Sequence, residues 1–114
     1  MRVLLVLAAL IAAGWYFLKP LPPGKGPKAQ TAMRQMAPVI QAAEAYRSAN
    51  GLYPADLDEL VPQFLPGTPR LAQGGSVEYS RLMGRYKLTF SYSDPLPIHC
   101  DWRPERPKWE CAWF

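Results

Sequence analysis

The chain has few of the residues on which enzyme chemistry depends. Its 114 residues include one histidine and two cysteines, and only 19% of them are charged. A glycine-rich phosphate loop is absent, as is any motif that pairs a nucleophile with a base. Two thiols and one imidazole are also too few for a zinc site. We therefore expect a non-catalytic protein without metal or cofactor.

A surplus of basic charge is also lacking over most of the chain. The sequence has 13 basic and nine acidic residues, which gives a net charge of +4. Four of the basic residues precede Ala29, so the remainder of the chain carries nine charges of each sign. Because phosphate binding needs clustered lysine and arginine, this balance argues against nucleic acid as a partner.

An uncharged apolar run lies at the N-terminus. Residues 3–18 read VLLVLAALIAAGWYFL. As a helix this run is about 24 Å long, and Trp15, Tyr16 and Lys19 suit a membrane interface at its end. Residues 1–18 therefore predict a membrane helix, by which the chain crosses the inner membrane once and places its C-terminal domain in the periplasm or outside the cell. A cleaved signal peptide and a soluble chain with a buried N-terminal helix are the open alternatives.

The next segment predicts a linker. Residues 19–28 read KPLPPGKGPK, and so many prolines and glycines favour a semi-rigid spacer over a helix. Residues 29–114 then form one small domain, which begins with a helix. Apolar side chains recur there at spacings of three and four residues, in Met33, Met36, Ala37, Ile40, Ala43 and Tyr46. Pro38 lies within this pattern, so the helix either bends or starts near it, and Gly51 predicts its end.

Beyond Gly51, Pro54 predicts the start of a short helix, with the acidic residues Asp56, Asp58 and Glu59 in its first turn. Strands follow. Residues 76–81 and 85–92 predict a hairpin that turns at Gly84 and directs Tyr86, Leu88 and Phe90 toward the first helix.

A second hairpin ends the chain. Folding it about Glu105 and Arg106 places Cys100 opposite Cys111 and Trp102 opposite Trp109, which predicts a cross-strand disulfide. The predicted fold class is therefore α+β. It comprises an N-terminal membrane helix, a Pro-rich linker, and a helix packed on an antiparallel sheet of about four strands with a C-terminal disulfide hairpin.

One stretch resembles a known protein family. Residues 43–66 read AEAYRSANGLYPADLDELVPQFLP. This stretch resembles the type IV pilin and type II secretion pseudopilin superfamily, especially the soluble domain of major-pseudopilin-like members, although the prepilin leader motif is lacking. The matching positions are Tyr46, Asn50, Gly51, Tyr53, Pro54, Leu57, Leu60, Val61 and Pro62. The resemblance implies an antiparallel sheet packed on the helix, and a C-terminal disulfide loop is common in the family.

The expected function is a pilin-like interaction or assembly module anchored in a bacterial cell envelope, with a protein partner there. Trp side chains are enriched at interface hot spots, so the C-terminal hairpin is the expected contact surface. Its aromatic residues are Trp102, Trp109, Trp113 and Phe114. The alternatives are a genuine minor pilin or pseudopilin, and a small enzyme or inhibitor released by signal cleavage. The oligomeric state is not predicted.

Overall fold

A helix lies against a four-stranded antiparallel sheet in the computed structural model, which describes residues 22–72 and 74–114. The strands follow one another in the sheet in chain order, β1-β2-β3-β4. The elements are α1 (Pro27–Asn50), a 3-10 helix (Leu57–Leu60), β1 (Ser76–Leu82), β2 (Arg85–Ser93), β3 (Pro97–Arg103) and β4 (Arg106–Trp113).

The predicted fold is wrong in its membrane helix. Among residues 22–72 and 74–114, no helix is long and apolar enough to cross a bilayer. The long helix in this region, α1, exposes polar side chains such as Arg34, Gln41 and Glu44, which lower its mean hydropathy. Residues 3–18, to which the prediction assigns the membrane helix, lie outside the described residues.

Helix α1 begins at Pro27, within the segment expected to be a linker, because proline fits the first turn of a helix. It runs through Pro38, which lies on its exposed side. It ends at Gly51, whose φ of 85° is left-handed and whose N–H donates to the carbonyl of Arg47 at 2.7 Å. The predicted stop at Gly51 is confirmed.

The predicted stripe of α1 is confirmed in part: Met36 and Ala43 are buried, and Met33, Ile40 and Tyr46 are partly buried against the core. Ala37 is exposed, although the apolar pattern places it in the core. The buried residues are Ala29, Ala32, Met36, Val39, Ala42 and Ala43. Because alanine occurs all round the helix, the apolar pattern alone does not fix which side packs on the sheet.

The core lies between α1 and the inner face of the sheet. Strand β2 buries every second residue, which confirms the predicted alternation. The largest side chains less than 2% exposed include Phe90, Met36, Leu60, Leu88 and Ile98. Burial of each such side chain stabilises the fold by about 1.5–3 kcal/mol relative to leaving it exposed.

The C-terminal hairpin contains the predicted disulfide between Cys100 and Cys111. Its turn differs from the prediction, because the pairing shifts between Asp101 and Arg103. As a result Arg103 pairs with Arg106, and the turn consists of Pro104 and Glu105 instead of Glu105 and Arg106. Between the pairs formed by Asp101 and by Arg103, β4 contains more residues than β3, as at a β-bulge.

Candidate interaction surfaces

The residues of the family resemblance form the corner between α1 and the sheet. The corner spans residues 46–62, and its polypeptide leaves α1 at Gly51, packs Tyr53 and Pro54 into the interior and enters the 3-10 helix. Leu60 is fully buried, Tyr46, Leu57 and Val61 are partly buried against the core, and Asn50 and Pro62 are exposed. These positions therefore join the helix to the sheet, and few of them are open to a partner.

Tyr53 is the centre of this corner. Its hydroxyl donates to Glu44 Oε1 at 2.8 Å and accepts from Arg47 Nη1 at 3.2 Å, and its carbonyl accepts from Arg81 Nη1 at 2.9 Å. Its ring packs edge-on against Tyr86, with centroids 4.7 Å apart. Burial and the hydrogen bond to Glu44 raise the pKa of Tyr53 above its ordinary value of 10.0. These hydrogen bonds attach α1 to the corner and to β1.

The acidic residues near the 3-10 helix act as a helix cap. Asp56 is the N-cap residue, and its Oδ1 accepts from the backbone N–H of Glu59 at 3.1 Å. Glu59 Oε2 in turn accepts from the backbone N–H of Ala55 at 2.9 Å. This bond, together with one from Tyr46, lowers the pKa of Glu59. The reciprocal pair resembles a capping box and gives Asp56 and Glu59 a structural role.

The two cysteines and the histidine make contacts within the domain. Cys100 and Cys111 are bonded to each other, so neither provides a thiolate. His99 Nδ1 lies 3.7 Å from Asp101 Oδ1, and its ring packs against Phe114 at 4.9 Å. Within residues 22–72 and 74–114 there is no group of three or more histidine, cysteine or acidic side chains that could hold a metal ion.

Two of the four aromatic residues predicted for the interface pack partly into the domain. The Trp109 ring meets Phe90 edge-on with centroids 4.8 Å apart, and it lies 5.4 Å from the Trp102 ring. Both tryptophans are half-buried against the core. They therefore close the open side of the core beside the disulfide hairpin.

The other two predicted interface residues are exposed. We name Trp113 and Phe114 the aromatic end. Trp113 is 38% exposed and Phe114 is 77% exposed, whereas every other aromatic side chain in residues 22–72 and 74–114 is buried or half-buried. Phe114 borders an open cleft of about 430 Å³, and its backbone N–H donates to the carbonyl of Pro97 at 3.1 Å. The backbone of the aromatic end is therefore held by β3 while its side chains face solvent.

The aromatic end continues an edge strand. Strand β4 is the last strand of the sheet, so no further strand of the described residues pairs with its outer side. An edge strand with unpaired backbone groups can accept a strand from another chain. The aromatic end and the β4 edge together form a surface suited to a protein partner.

Sequence reasoning missed a second surface at the opposite end of the sheet. Arg85, Lys87, Arg103 and Arg106 cluster there, close to the turns that join β1 to β2 and β3 to β4. The overall balance of nine basic and nine acidic residues hides this cluster. The alternation of each strand, combined with strand pairing, is the signal that places these cations on one face.

Comparison with known proteins finds no matching family model, curated protein or solved structure.

Proposed function

We propose that this domain is a non-catalytic protein-interaction module of a bacterial cell envelope, and that the aromatic end is its contact surface. The observation that carries the proposal is the exposure of Trp113 and Phe114, at 38% and 77%, at the end of an edge strand. Burial of such rings at an interface contributes a large apolar area at a small loss of side-chain freedom. A strand of the partner pairs with β4 and covers both rings.

The disulfide supports a location outside the cytoplasm. Cys100 is fully buried, and its bond to Cys111 joins the two strands of the hairpin next to the aromatic end. Such bonds persist in oxidising compartments and are rare in the cytosol. Alkaline phosphatase fused after Phe114 tests this location, because we expect that enzyme to be active only outside the cytoplasm. An inactive fusion, with a cytoplasmic reporter active at the same position, would exclude it.

Site-specific photocrosslinking tests the contact surface in living cells. A photoreactive phenylalanine analogue replaces Phe114 in one strain and Leu52 in a control strain. Leu52 is a suitable control because it is 49% exposed but lies at the corner, far along the chain from β4. We expect a protein adduct from position 114 that is absent from position 52. Trp113→Ser should remove it, since the partner loses half of the aromatic end.

The same experiment can contradict the proposal. Equal adducts at both positions would show random encounters, and the absence of an adduct at position 114 in folded protein would exclude the aromatic end as a contact. Circular dichroism of the purified chains shows whether each variant is folded.

A pilin-like assembly subunit is a second candidate. The corner at residues 46–62 favours it, because the residues that carry the family resemblance join α1 to an antiparallel sheet there. In this case the adduct at position 114 contains a second copy of this chain, so its mass is twice that of the monomer. A small secreted enzyme or inhibitor is the remaining alternative, and an N-terminus at Trp15 in the mature protein, found by mass spectrometry, would favour it.

A further inference from the structure

On the outer face of the sheet, which points away from α1, basic residues cluster at one end. Near the β1–β2 and β3–β4 turns this face carries Arg85 and Lys87 of β2, Arg103 of β3 and Arg106 of β4. The strand register explains this grouping. Leu88 pairs with Trp102, so their neighbours toward the turns, Lys87 and Arg103, lie side by side. Arg103 in turn pairs with Arg106. Like charges in neighbouring strands repel each other, so this arrangement costs stability.

These four cations line two adjoining clefts. One has a volume of about 280 Å³ and is bordered by Arg85, Lys87 and Arg103, and the other has about 450 Å³ and is bordered by Arg85, Arg103 and Arg106. Glu105 in the turn borders both clefts and is the only carboxylate among their lining residues. We name this pair of clefts the basic cleft.

Most cations of the basic cleft lack an anionic partner within the described residues. Arg85, Lys87 and Arg103 form no ion pair there. Arg106 Nη1 lies 3.5 Å from Glu110 Oε1, but both side chains are largely exposed, so this pair adds little stability. Guanidinium groups that a rigid sheet holds together are well suited to bind an oxyanion through paired hydrogen bonds.

An apolar rim adjoins these cations. Leu82, the last residue of β1, is 76% exposed, and Met83 in the turn that follows is 92% exposed. Met83 also has a φ of 54°, in the left-handed region that a side chain such as methionine rarely adopts. Neither residue stabilises the core in this position. A ligand that suits the basic cleft therefore combines acidic groups with an apolar group next to them.

We propose that the basic cleft binds the carboxylates of an acidic protein segment, with an apolar side chain of that segment against Leu82 and Met83. This binding goes beyond the proposed function, because the basic cleft and the aromatic end lie at opposite ends of the sheet. An anionic membrane fits less well, since a row of acidic residues, Glu78, Asp101 and Glu110, crosses the same face beside the cations. That row repels a flat anionic surface but leaves a narrow peptide free to enter.

A labelled peptide tests the proposal with the full-length chain. The probe is a fluorescein-labelled octapeptide of six glutamates and two leucines, and its binding is measured by fluorescence anisotropy. We expect Arg85→Gln/Arg103→Gln to weaken binding at least tenfold. The matched control is Lys25→Gln/Arg34→Gln, which removes the same charge from exposed sites outside the basic cleft and should leave binding within about twofold.

Glu105→Gln provides a test in the opposite direction. Removal of the single carboxylate from the lining should tighten binding of the octapeptide about threefold, because the repulsion between Glu105 and the probe disappears. This variant keeps the proposal falsifiable if the double variant does not fold, since Glu105 is exposed in a turn.

Three results would overturn the proposal. The first is an equal loss of binding in the cleft variant and the matched control, which would indicate a general charge effect. The second is unchanged or weaker binding by Glu105→Gln. The third is binding to phosphatidylglycerol vesicles, lost in the cleft variant, without binding of the octapeptide, which would assign the cleft to a membrane surface. The photocrosslink at position 114 is independent of all three, so failure of one proposal is distinguishable from failure of the other.

Discussion

Tyr86 has a buried hydroxyl group that makes no hydrogen bond of standard geometry within the described residues, and its polar neighbour there is the Trp102 side chain, which can only donate. Its ring stacks on Tyr79, with centroids 5.4 Å apart, and both side chains lie on the inner face beside the corner. The hydroxyl of Tyr79, in contrast, donates to the carbonyl of Pro54 at 2.7 Å. Burial is the main cause that raises the pKa of both tyrosines above 10.0. The two residues thus share an environment but differ in one hydrogen bond.

This difference predicts opposite effects of the same substitution. Tyr86→Phe should raise the free energy of unfolding by about 1 kcal/mol, because it removes a buried O–H donor that has no acceptor. Tyr79→Phe should lower it by about 1–2 kcal/mol, because it leaves the carbonyl of Pro54 unpaired. Urea denaturation of both variants and the unsubstituted protein measures the two changes. A loss of stability in Tyr86→Phe as large as that in Tyr79→Phe would contradict this account.

The raised pKa values also give the sign of a pH effect. A tyrosine with a raised pKa in the folded state favours the neutral form, so its contribution to stability is complete below pH 10 and is lost as the pH rises through its folded pKa. The domain should therefore unfold more easily above pH 10. Tyr86→Phe should reduce this loss, which repeats of the urea series at rising pH will show.

At the scale of elements, the strands were more predictable than the helix. Strand β2 alternates strictly between apolar and polar residues, so its period and its buried face follow from the sequence. The prediction placed Ala37 in the core and missed Ala42, because the two alanines are equally apolar and only packing on the sheet selects which one is buried. The position of the C-terminal hairpin turn was predicted wrongly because no simple sequence pattern indicates a bulge.

The polypeptide before α1 is fastened to the sheet at Gly24. Gly24 is buried, its φ is +83°, and a Cβ added there would lie 2.8 Å from Cys111 Sγ. Gly51 has a similar φ of +85°, but an added Cβ would meet nothing within 4 Å. The two glycines therefore differ in packing while they share the same backbone conformation.

Alanine substitutions separate these two causes. Gly51→Ala should destabilise the domain by about 1–2 kcal/mol through backbone strain alone. Gly24→Ala should cost about 2–4 kcal/mol, because overpacking against the disulfide adds to the same strain. Thermal unfolding followed by circular dichroism compares the variants. Equal losses at the two positions would show that the contact between Gly24 and Cys111 has no energetic weight.

At the scale of the whole molecule, the disulfide contributes a large fraction of the free energy of unfolding. A domain of this size is stable by about 5–15 kcal/mol. The bond between Cys100 and Cys111 closes a loop with a sequence separation of 11, which stabilises the fold by about 3 kcal/mol in the chain-entropy description. Cys111→Ser should therefore lower the free energy of unfolding by about that amount.

Reductant provides the control for this prediction. Treatment of the unsubstituted protein with dithiothreitol should shift its urea midpoint to that of Cys111→Ser, and the variant itself should not respond. A midpoint that does not move on reduction would show that the bond contributes no stability. Alkylation without reductant checks that the bond is present, since neither cysteine should gain mass.

Contacts that depend on the arrangement of the strands in the sheet could be predicted only in part. The pairing of Cys100 with Cys111 followed from alternation within two adjacent strands, and it is confirmed. The crowding of Arg85, Arg103 and Arg106 did not follow, because it depends on which strands become neighbours in the sheet. The exposure of the tryptophans was not predictable either. Trp109 and Trp113 have the same spacing from Cys111, but only Trp109 packs against Phe90.

The fastening at Gly24 determines how the domain bears mechanical load. The backbone N–H of Gly24 donates to Tyr92 Oη at 3.2 Å, and a Cβ added at Gly24 would collide with the Cys111 side chain. Tension applied to the chain at Pro22 is therefore shared between α1 and the contacts that Gly24 makes with β2 and β4. A covalent cross-link prevents β4 from peeling away from β3, so the part of the force that enters through Gly24 acts on a hairpin whose strands cannot separate.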